Sequence, residues 1–410
     1  METAPQVKVA IVHDWLQTPG GAELVLGEML AVFPGADVFT MIDKRSAESR
    51  SNNDNDSGAL AAARITTSWL QRVPGIARSY RSWLPLMPLA LRSLDVSGYD
   101  VVISNSHAVA KGIRTHERQL HLCYCLSPMR YAWDLKGQYL REAGLERGVR
   151  GLVAGRMLEA MRRWDLANTG GVDAFATLSQ YIAERIERAY GRSAEVIYPP
   201  VDTEFFTPAQ AGVRGEGEAR RGATGEGRSG EERRAGSEDT YVTASRFVPY
   251  KRIDMIARAF ALMPEKKLVI VGDGPDVAKV RAAAGQNVML VGRESRERLR
   301  ERLRGARAFL FAAEEDFGIA PVEAQACGTP VIAFGRGGVT ETVRGLDAAE
   351  PTGVLYAEQT VEGLAEAVRR FEALTRPISA EACRANALRF GTEIFRERFR
   401  SFVEGKVEKA

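Results

Sequence analysis

The feature that most constrains this chain is a rhythm of short, unbroken apolar runs separated by helix-length amphipathic stretches. In the first half, VKVAIV (7–12), YDVVIS (99–104), QLHLCYC (119–125), VDAFAT (172–177) and AEVIYP (194–199) read as buried strands. The second half repeats the pattern with YVTASR (241–246), KLVIVG (267–272), NVMLVG (287–292), ARAFLFA (306–312) and TPVIAF (329–334). Between them, AELVLGEMLAVF (22–33), SQYIAERIERAY (179–190) and KRIDMIARAFALM (251–263) carry helical periodicity. Apolar strands without polar alternation are covered on both faces, and their alternation with helices makes parallel sheets. The expectation is an α/β protein of two doubly wound, Rossmann-like domains. Ligands should bind in a cleft facing the carboxyl ends of both sets of strands.

At 410 residues the chain is long enough for two such domains. Paired prolines in YPPVDTEFFTP (198–208) mark the boundary, dividing a first domain, 1–200, from a second, 201–389. The tail ANALRFGTEIFRERFRSFVEG (385–405) reads as helical, with Phe395, Phe399 and Phe402 on one face to be buried. Residues 390–410 are expected to pack back on the first domain. The stretch 211–238 holds eight glycines, six arginines, six glutamates and one valine. It has too little apolar area to offset its ordering entropy and is expected to be a flexible insert. The polar run KRSAESRSNNDNDSG (44–58) reads the same way.

Composition narrows the class. Lys+Arg 56 against Asp+Glu 53 leaves a net charge of +3, without the clustered excess a nucleic-acid binder uses. Four cysteines without a C-x-x-C pair fit a reducing compartment. No run of 18 uncharged apolar residues appears, and METAPQVKVAIVHD lacks the shape of a signal peptide, so the expected address is cytoplasmic.

The chemistry concentrates in AEEDFGIAPVEAQACGTPVIAFGRGGVTETV (313–343). Glu315 and Glu323 are separated by seven residues, one on a strand-to-helix loop and the other inside the following helix. Two carboxylates so placed can accept hydrogen bonds from a polyhydroxylated ligand, and the helix N-terminus between them offers amides to an anion. A solvated loop and a surface helix glutamate would look the same in isolation. TASRFVPYKRID puts Arg246 at a strand end and Lys251 at the next helix start, two cations suited to a diphosphate. Gly20 and Gly21 in TPGGAE, and Gly337 and Gly338 in GRGGVTE, precede helices where backbone amides could approach phosphate. A simple turn explains either pair equally well.

In that order, GGAE, SNSHAVAKG, SRFVPYKRID, GDGP, EDFGIAPVEAQACGTPV and GGVTETV resemble a retaining glycosyltransferase of family 4 with the GT-B fold. LPLMP, SPMRYAWD and VPYKRID look most like bacterial mannosyltransferases that build O-antigen and related polysaccharides. The resemblance implies a role for each matching residue. Glu315 would contact the donor sugar and stabilise positive charge at the reacting carbon, and Glu323 would bind the ribose hydroxyls. Arg246 and Lys251 would neutralise the leaving diphosphate, and His107 of SNSHAVAKG would lie at the donor sugar near the reacting carbon. Amides around Phe317, Gly318 and Ile319 would meet sugar hydroxyls, while Gly21 and Gly338 would meet phosphate. Arg293, after the strand ending at Gly292, would lie near the base. His13, Asp14, Arg130 and Tyr131 are the acceptor-side candidates.

The implied substrates are a nucleotide-diphosphate sugar, with GDP-mannose first, and a glycan or lipid-linked glycan acceptor. No cofactor and no metal are expected: the D-x-D match Asp54-Asn55-Asp56 falls in a polar run rather than at a strand end. Residues 64–92 hold five arginines, two tryptophans and no acid, which suits either the cytoplasmic face of an inner membrane or packing within the first domain. A GT-B epimerase or phosphorylase, and a non-catalytic sugar-nucleotide-binding subunit, are the alternatives. An NAD-dependent oxidoreductase is disfavoured because VHDWLQTPGGAE is not G-x-G-x-x-G.

Overall fold

The computed structural model describes residues 7–17, 20–45, 58–133, 137, 148–209 and 239–409. The insert 211–238 and the Asp54-Asn55-Asp56 triplet lie outside the described residues. The chain divides into two compact units, Met1–Pro200 with Thr392–Ala410, and Val201–Gly391.

The first unit is built on a seven-stranded sheet in the order β3-β2-β1-β4-β5-β6-β7. Its strands are β1 (Val9–His13), β2 (Asp37–Thr40), β3 (Ile65–Thr67), β4 (Val101–Ser106), β5 (Leu120–Cys125), β6 (Ala174–Thr177) and β7 (Ala194–Val196). Every pairing is parallel. Ala10, Ile11 and Val12 of β1 and Val102 and Ile103 of β4 are fully buried, as continuous apolar strands between helix layers must be. The helices used below are α1 (Gly21–Val32), α2 (Gly148–Ala167) and α3 (Gln180–Tyr190). Ser179 caps α3 by accepting from the Ile182 amide, and left-handed Gly191 ends it. Strand order reverses between β1 and β4, so the loops after those two strands splay apart and leave room for ligand chemistry.

The second unit repeats the plan with six parallel strands in the order β10-β9-β8-β11-β12-β13. They are β8 (Thr240–Ala244), β9 (Lys267–Val271), β10 (Val288–Gly292), β11 (Ala306–Phe311), β12 (Val331–Phe334) and β13 (Gly353–Tyr356). Helices α4 (Ile253–Ala261), α5 (Arg296–Arg304), α6 (Ile319–Ala326), α7 (Val339–Thr342) and α8 (Ala380–Leu388) belong to this unit. Here the order reverses between β8 and β11.

The tail forms two helices rather than one. Helix α8 ends at Leu388, and α9 (Thr392–Val407) starts after a break at which the Phe390 carbonyl accepts from the Val201 amide at 2.9 Å. Helix α9 packs on the first unit through buried Phe395, Phe399 and Phe402. Phe395 and Phe399 stack at 5.5 Å and both meet Tyr124 edge-on, while Arg396 pairs with Glu28 of α1 at 2.6 Å. Residues 64–92 send Leu70, Ile76, Tyr80, Met87, Ala90 and Leu91 into the core and leave Trp69, Leu86 and Leu89 exposed.

Candidate active site

In the second unit the predicted residues gather on the loops that follow β8 and β11, on either side of the reversal. Arg246 lies two residues beyond the end of β8, exposed, and its guanidinium makes no ion pair among the described residues. Lys251 closes the short turn Pro249–Lys251, and Arg252, left-handed at φ 54°, redirects the chain into α4. The Lys251 Nζ pairs with the Glu315 Oε1, both side chains about one-fifth exposed (19% and 18%). The first acid of E-x(7)-E and the lysine of VPYK therefore meet, although 64 positions separate them in the chain.

Glycines hold both loops in place. A Cβ at Gly272, which has φ +130°, would lie 1.8 Å from the Ser245 carbonyl oxygen, and one at Gly274 would lie 2.4 Å from that of Phe247. The Phe247 amide donates to the Asp273 carbonyl at 2.9 Å, so the GDGP loop is the bed on which the Arg246–Lys251 loop rests. On the other side, a Cβ at Gly337 would meet the Glu315 carbonyl at 2.3 Å, and one at Gly338 would meet that of Asp316 at 2.3 Å. The Gly338 amide donates to the Glu315 carbonyl at 2.8 Å. The Gly338 donor is thus engaged within the loop. The Gly337–Gly338 pair is required by the acid loop that packs against it.

Helix α6 starts at Ile319 behind left-handed Gly318 (φ 90°), which offers no side chain to cap the first amides. Phe317 is buried, its ring against Phe390 at 5.4 Å. Glu323 lies one turn into α6 with a partly exposed side chain. Burial pushes its carboxyl up to about 7; Arg296 opposes the rise and Asp202 adds to it. Arg296 is itself paired with Asp202 at 2.7 Å. Gln325, fully buried, donates to the carbonyls of Pro321 and Thr342 and accepts from Asn386, which fixes α6 against α7 and α8. Arg293 is exposed just beyond β10.

In the first unit the end of β1, beside the reversal, holds a different device. Asp14 is fully buried, and its carboxylate accepts four successive amides: His107 and Ala108 on Oδ2 (2.6 and 2.9 Å), Val109 and Ala110 on Oδ1 (2.6 and 2.7 Å). The same Oδ2 lies 3.1 Å from the His107 Nδ1. Burial would raise the pKa of Asp14, but His107 and these amides outweigh it and hold the carboxyl below its ordinary value. Asp14 thus offers no surface to an acceptor. It shapes the SNSHAVAKG loop and orients the ring of His107, which rests edge-on against Trp15 at 4.6 Å. His13 is fully buried beside Asn105 of β4, and burial lowers its pKa to about 4. Arg130 and Tyr131 lie half-buried in the turn after β5. Gly20 and Gly21 open α1, which has no side-chain cap.

Sequence reasoning missed Lys111. It is fully buried and pairs with Asp165 of α2, which also accepts from the Trp133 Nε1 and the Tyr190 hydroxyl, each at 2.8 Å. Gly112 follows because a Cβ there would strike the Trp164 ring at 2.5 Å. A lysine set among small apolar residues in HAVAKG was the available signal.

Two doubly wound units with charged loops at their strand reversals define the GT-B class of fold. Residues 229–390 match the model of the family described as glycosyl transferases group 1. Among curated relatives, the chain is 32% identical over 231 residues to a GDP-mannose-dependent monoacylated alpha-(1-6)-phosphatidylinositol monomannoside mannosyltransferase of Corynebacterium glutamicum, covering 52% of this chain and 55% of that protein. It is 29% identical over 186 residues to a D-inositol 3-phosphate glycosyltransferase of Mycobacteroides abscessus, covering 42% and 38%. The chain thus spans about half the length of the curated relatives it matches. Among solved structures, Anabaena HepE in complex with UDP and glucose superposes with a TM-score of 0.66 at 16% identity, covering 97% of this chain and 100% of that one. Sucrose-phosphate synthase from Thermosynechococcus elongatus gives 0.67 at 19%, covering 99% and 100%. At such identities these likenesses establish the fold.

Proposed function

We propose that this protein is a retaining hexosyltransferase that moves mannose from GDP-mannose to an acceptor hydroxyl on a lipid-linked or growing polysaccharide glycan. The observation that carries the reading is the Lys251–Glu315 pair at the β8/β11 reversal, with the unpaired Arg246 on the same loop as Lys251. Transfer from a nucleotide sugar builds positive charge at the anomeric carbon while a diphosphate departs with negative charge. Glu315 is the group for the first, and Lys251 and Arg246 are the groups for the second. When a donor enters, its diphosphate competes with Glu315 for the Lys251 ammonium and releases the carboxylate to the sugar. Fixed charges of this kind contribute about 3 kcal/mol each to a transition state.

Glu323, one turn into α6, accepts the ribose hydroxyls, and the uncapped amides behind Gly318 meet the sugar. In the first unit His107, oriented through Nδ1 by Asp14, presents its Nε2 edge to the reacting sugar. With two cations assigned to the leaving group, catalysis needs no divalent ion. The choice of mannose and guanosine rests on the names of the relatives from Corynebacterium glutamicum and Mycobacterium tuberculosis, both GDP-mannose-dependent mannosyltransferases. The proposed setting is the cytoplasm, at the inner face of its membrane. Among the described residues no helix is long and apolar enough to cross one.

The test is a donor-hydrolysis screen across GDP-, UDP- and dTDP-sugars, with and without EDTA. The expected result is turnover of GDP-mannose that EDTA leaves unchanged. Turnover confined to UDP- or dTDP-sugars would remove GDP-mannose, and loss in EDTA would overturn the role given to the two cations.

A further inference from the structure

We infer that Asp165 is a positioning residue for transfer: from the buried face of α2 it ties the loop that carries His107 to the turn that carries the acceptor-side candidates Arg130 and Tyr131. The inference rests on the reading of this protein as a glycosyltransferase. Asp165 is fully buried, and its two carboxylate oxygens are divided between separate parts of the first unit. Oδ1 pairs with the Nζ of Lys111, at the end of the SNSHAVAKG loop. Oδ2 accepts from the Trp133 Nε1, in the turn after β5, and from the Tyr190 hydroxyl at the end of α3, each at 2.8 Å. Segments far apart in the chain thus meet on one side chain.

Each tie reaches further. The Lys111 amide donates to the Ser106 Oγ at 3.3 Å, and its Nζ donates to the Ala108 carbonyl at 3.4 Å. The loop that Asp14 holds by its amides is therefore also held by Lys111 at a carbonyl. The Trp133 amide donates to the Met129 carbonyl at 3.1 Å, so Arg130 and Tyr131 lie inside one closed turn that the indole anchors. Met161, one turn before Asp165 on α2, is buried in the same apolar cluster as Ala108, Val109 and Ala110 of the first loop and Met129 and Ala132 of the second. Packing alone would hold α2 there, since replacing a buried ion pair by apolar side chains is often neutral or stabilising. Burial would lower the Lys111 pKa, but Asp165 outweighs it and raises it, so the pair stays charged. What the carboxylate adds is direction: hydrogen bonds on both oxygens fix where each partner stands. Reacting groups need that, because a displacement of about 1 Å can cost about 100-fold in rate.

The test separates the two arms. Lys111→Met with Asp165→Asn removes both charges and leaves an amide oxygen for Trp133 and Tyr190, so this double variant should melt within a few degrees of wild type. Trp133→Phe removes one donor and keeps an aromatic ring. In protein carrying labelled histidine, four side chains give NMR signals, and the one lost in His107→Ala belongs to His107. The double variant should shift or broaden that signal and leave that of exposed His116 in place, a readout that needs no donor. With GDP-mannose and octyl α-mannoside, it should lower kcat by about 10- to 100-fold. Trp133→Phe should instead raise the acceptor KM by about five-fold, with a smaller change in kcat. In a His107→Ala background the double change should cost no further rate. An unmoved His107 signal, losses of rate that follow melting temperature, or an undiminished cost without His107 would overturn the inference. If the His107 signal moves as expected while the wild-type chain turns over no nucleotide sugar, the proposed function falls and the tie between the two loops stands.

Discussion

Each unit places a carboxylate beside the reversal of sheet order, directly after β1 in the first and on the loop after β11 in the second, and the two use it in opposite ways. Asp14 is sealed: four amides and a histidine consume its lone pairs, and none of its surface is exposed. Glu315 is partly open, meets one lysine, and lies on a loop supported from below by Gly337 and Gly338. A saturated carboxylate is a structural bolt, since any ligand would have to break hydrogen bonds to reach it. A carboxylate with one mobile partner can exchange that partner for a ligand. Charge at a strand end becomes chemistry only where its hydrogen-bonding capacity is left unspent.

The comparison can be broken most forcefully at Lys251. Lys251→Ala should reduce transfer by about 100- to 1,000-fold while costing less than about 1 kcal/mol of stability, because the ion pair is partly solvated. A large fall in melting temperature with little loss of rate would make the pair structural, like Asp14. The converse change is Asp14→Asn, which sets an amide group against backbone amides that need an acceptor. It should destabilise the first unit by about 3 kcal/mol, read by denaturant unfolding. A neutral result would mean that the carboxylate is not the anchor of the SNSHAVAKG loop. Gly338→Ala drives a methyl against Asp316 and Phe317 and should cost about 2 kcal/mol, with transfer falling alongside. Unchanged behaviour would show that the acid loop does not need the glycine.

The smallest effect is on pH dependence. In the fold the Glu323 carboxyl sits near 7 against an ordinary 4.5, so the folded chain holds that proton more tightly than the unfolded one. Its contribution is complete below 4.5 and is lost as pH rises through 7. His13 and His121 act in the opposite sense: burial lowers both to about 4 from 6.5, so their contribution is lost as pH falls below 6.5. The difference in stability between wild type and Glu323→Gln across this range isolates the glutamate. A flat difference would place Glu323 in ordinary solvent.

Much of this arrangement was legible in the sequence. Ten apolar runs marked ten of the thirteen strands among the described residues, because parallel strands buried on both faces leave continuous Val, Ile, Leu and Ala. DVFT, ITT and GVLY, which form β2, β3 and β13, were not among those runs. The Phe395–Phe399–Phe402 face was readable from its spacing, but the break at Phe390–Gly391 was not, since it is set by pairing with Val201. Glu315 and Lys251 could be singled out separately by strand-end position, whereas their contact is a tertiary fact. The hydrogen bonds of Asp14 and Gly338 were not legible, because a sequence shows which polar groups reach a strand edge, not which have already found partners.

The most direct test of the account measures nucleotide affinity and transfer together in Glu315→Gln. If Glu315 serves the charge that develops at the sugar, transfer should fall by about 100-fold or more while affinity for GDP changes by less than about five-fold. Equal losses of transfer and affinity would contradict it and leave the second unit a site that binds nucleotide sugars without acting on them.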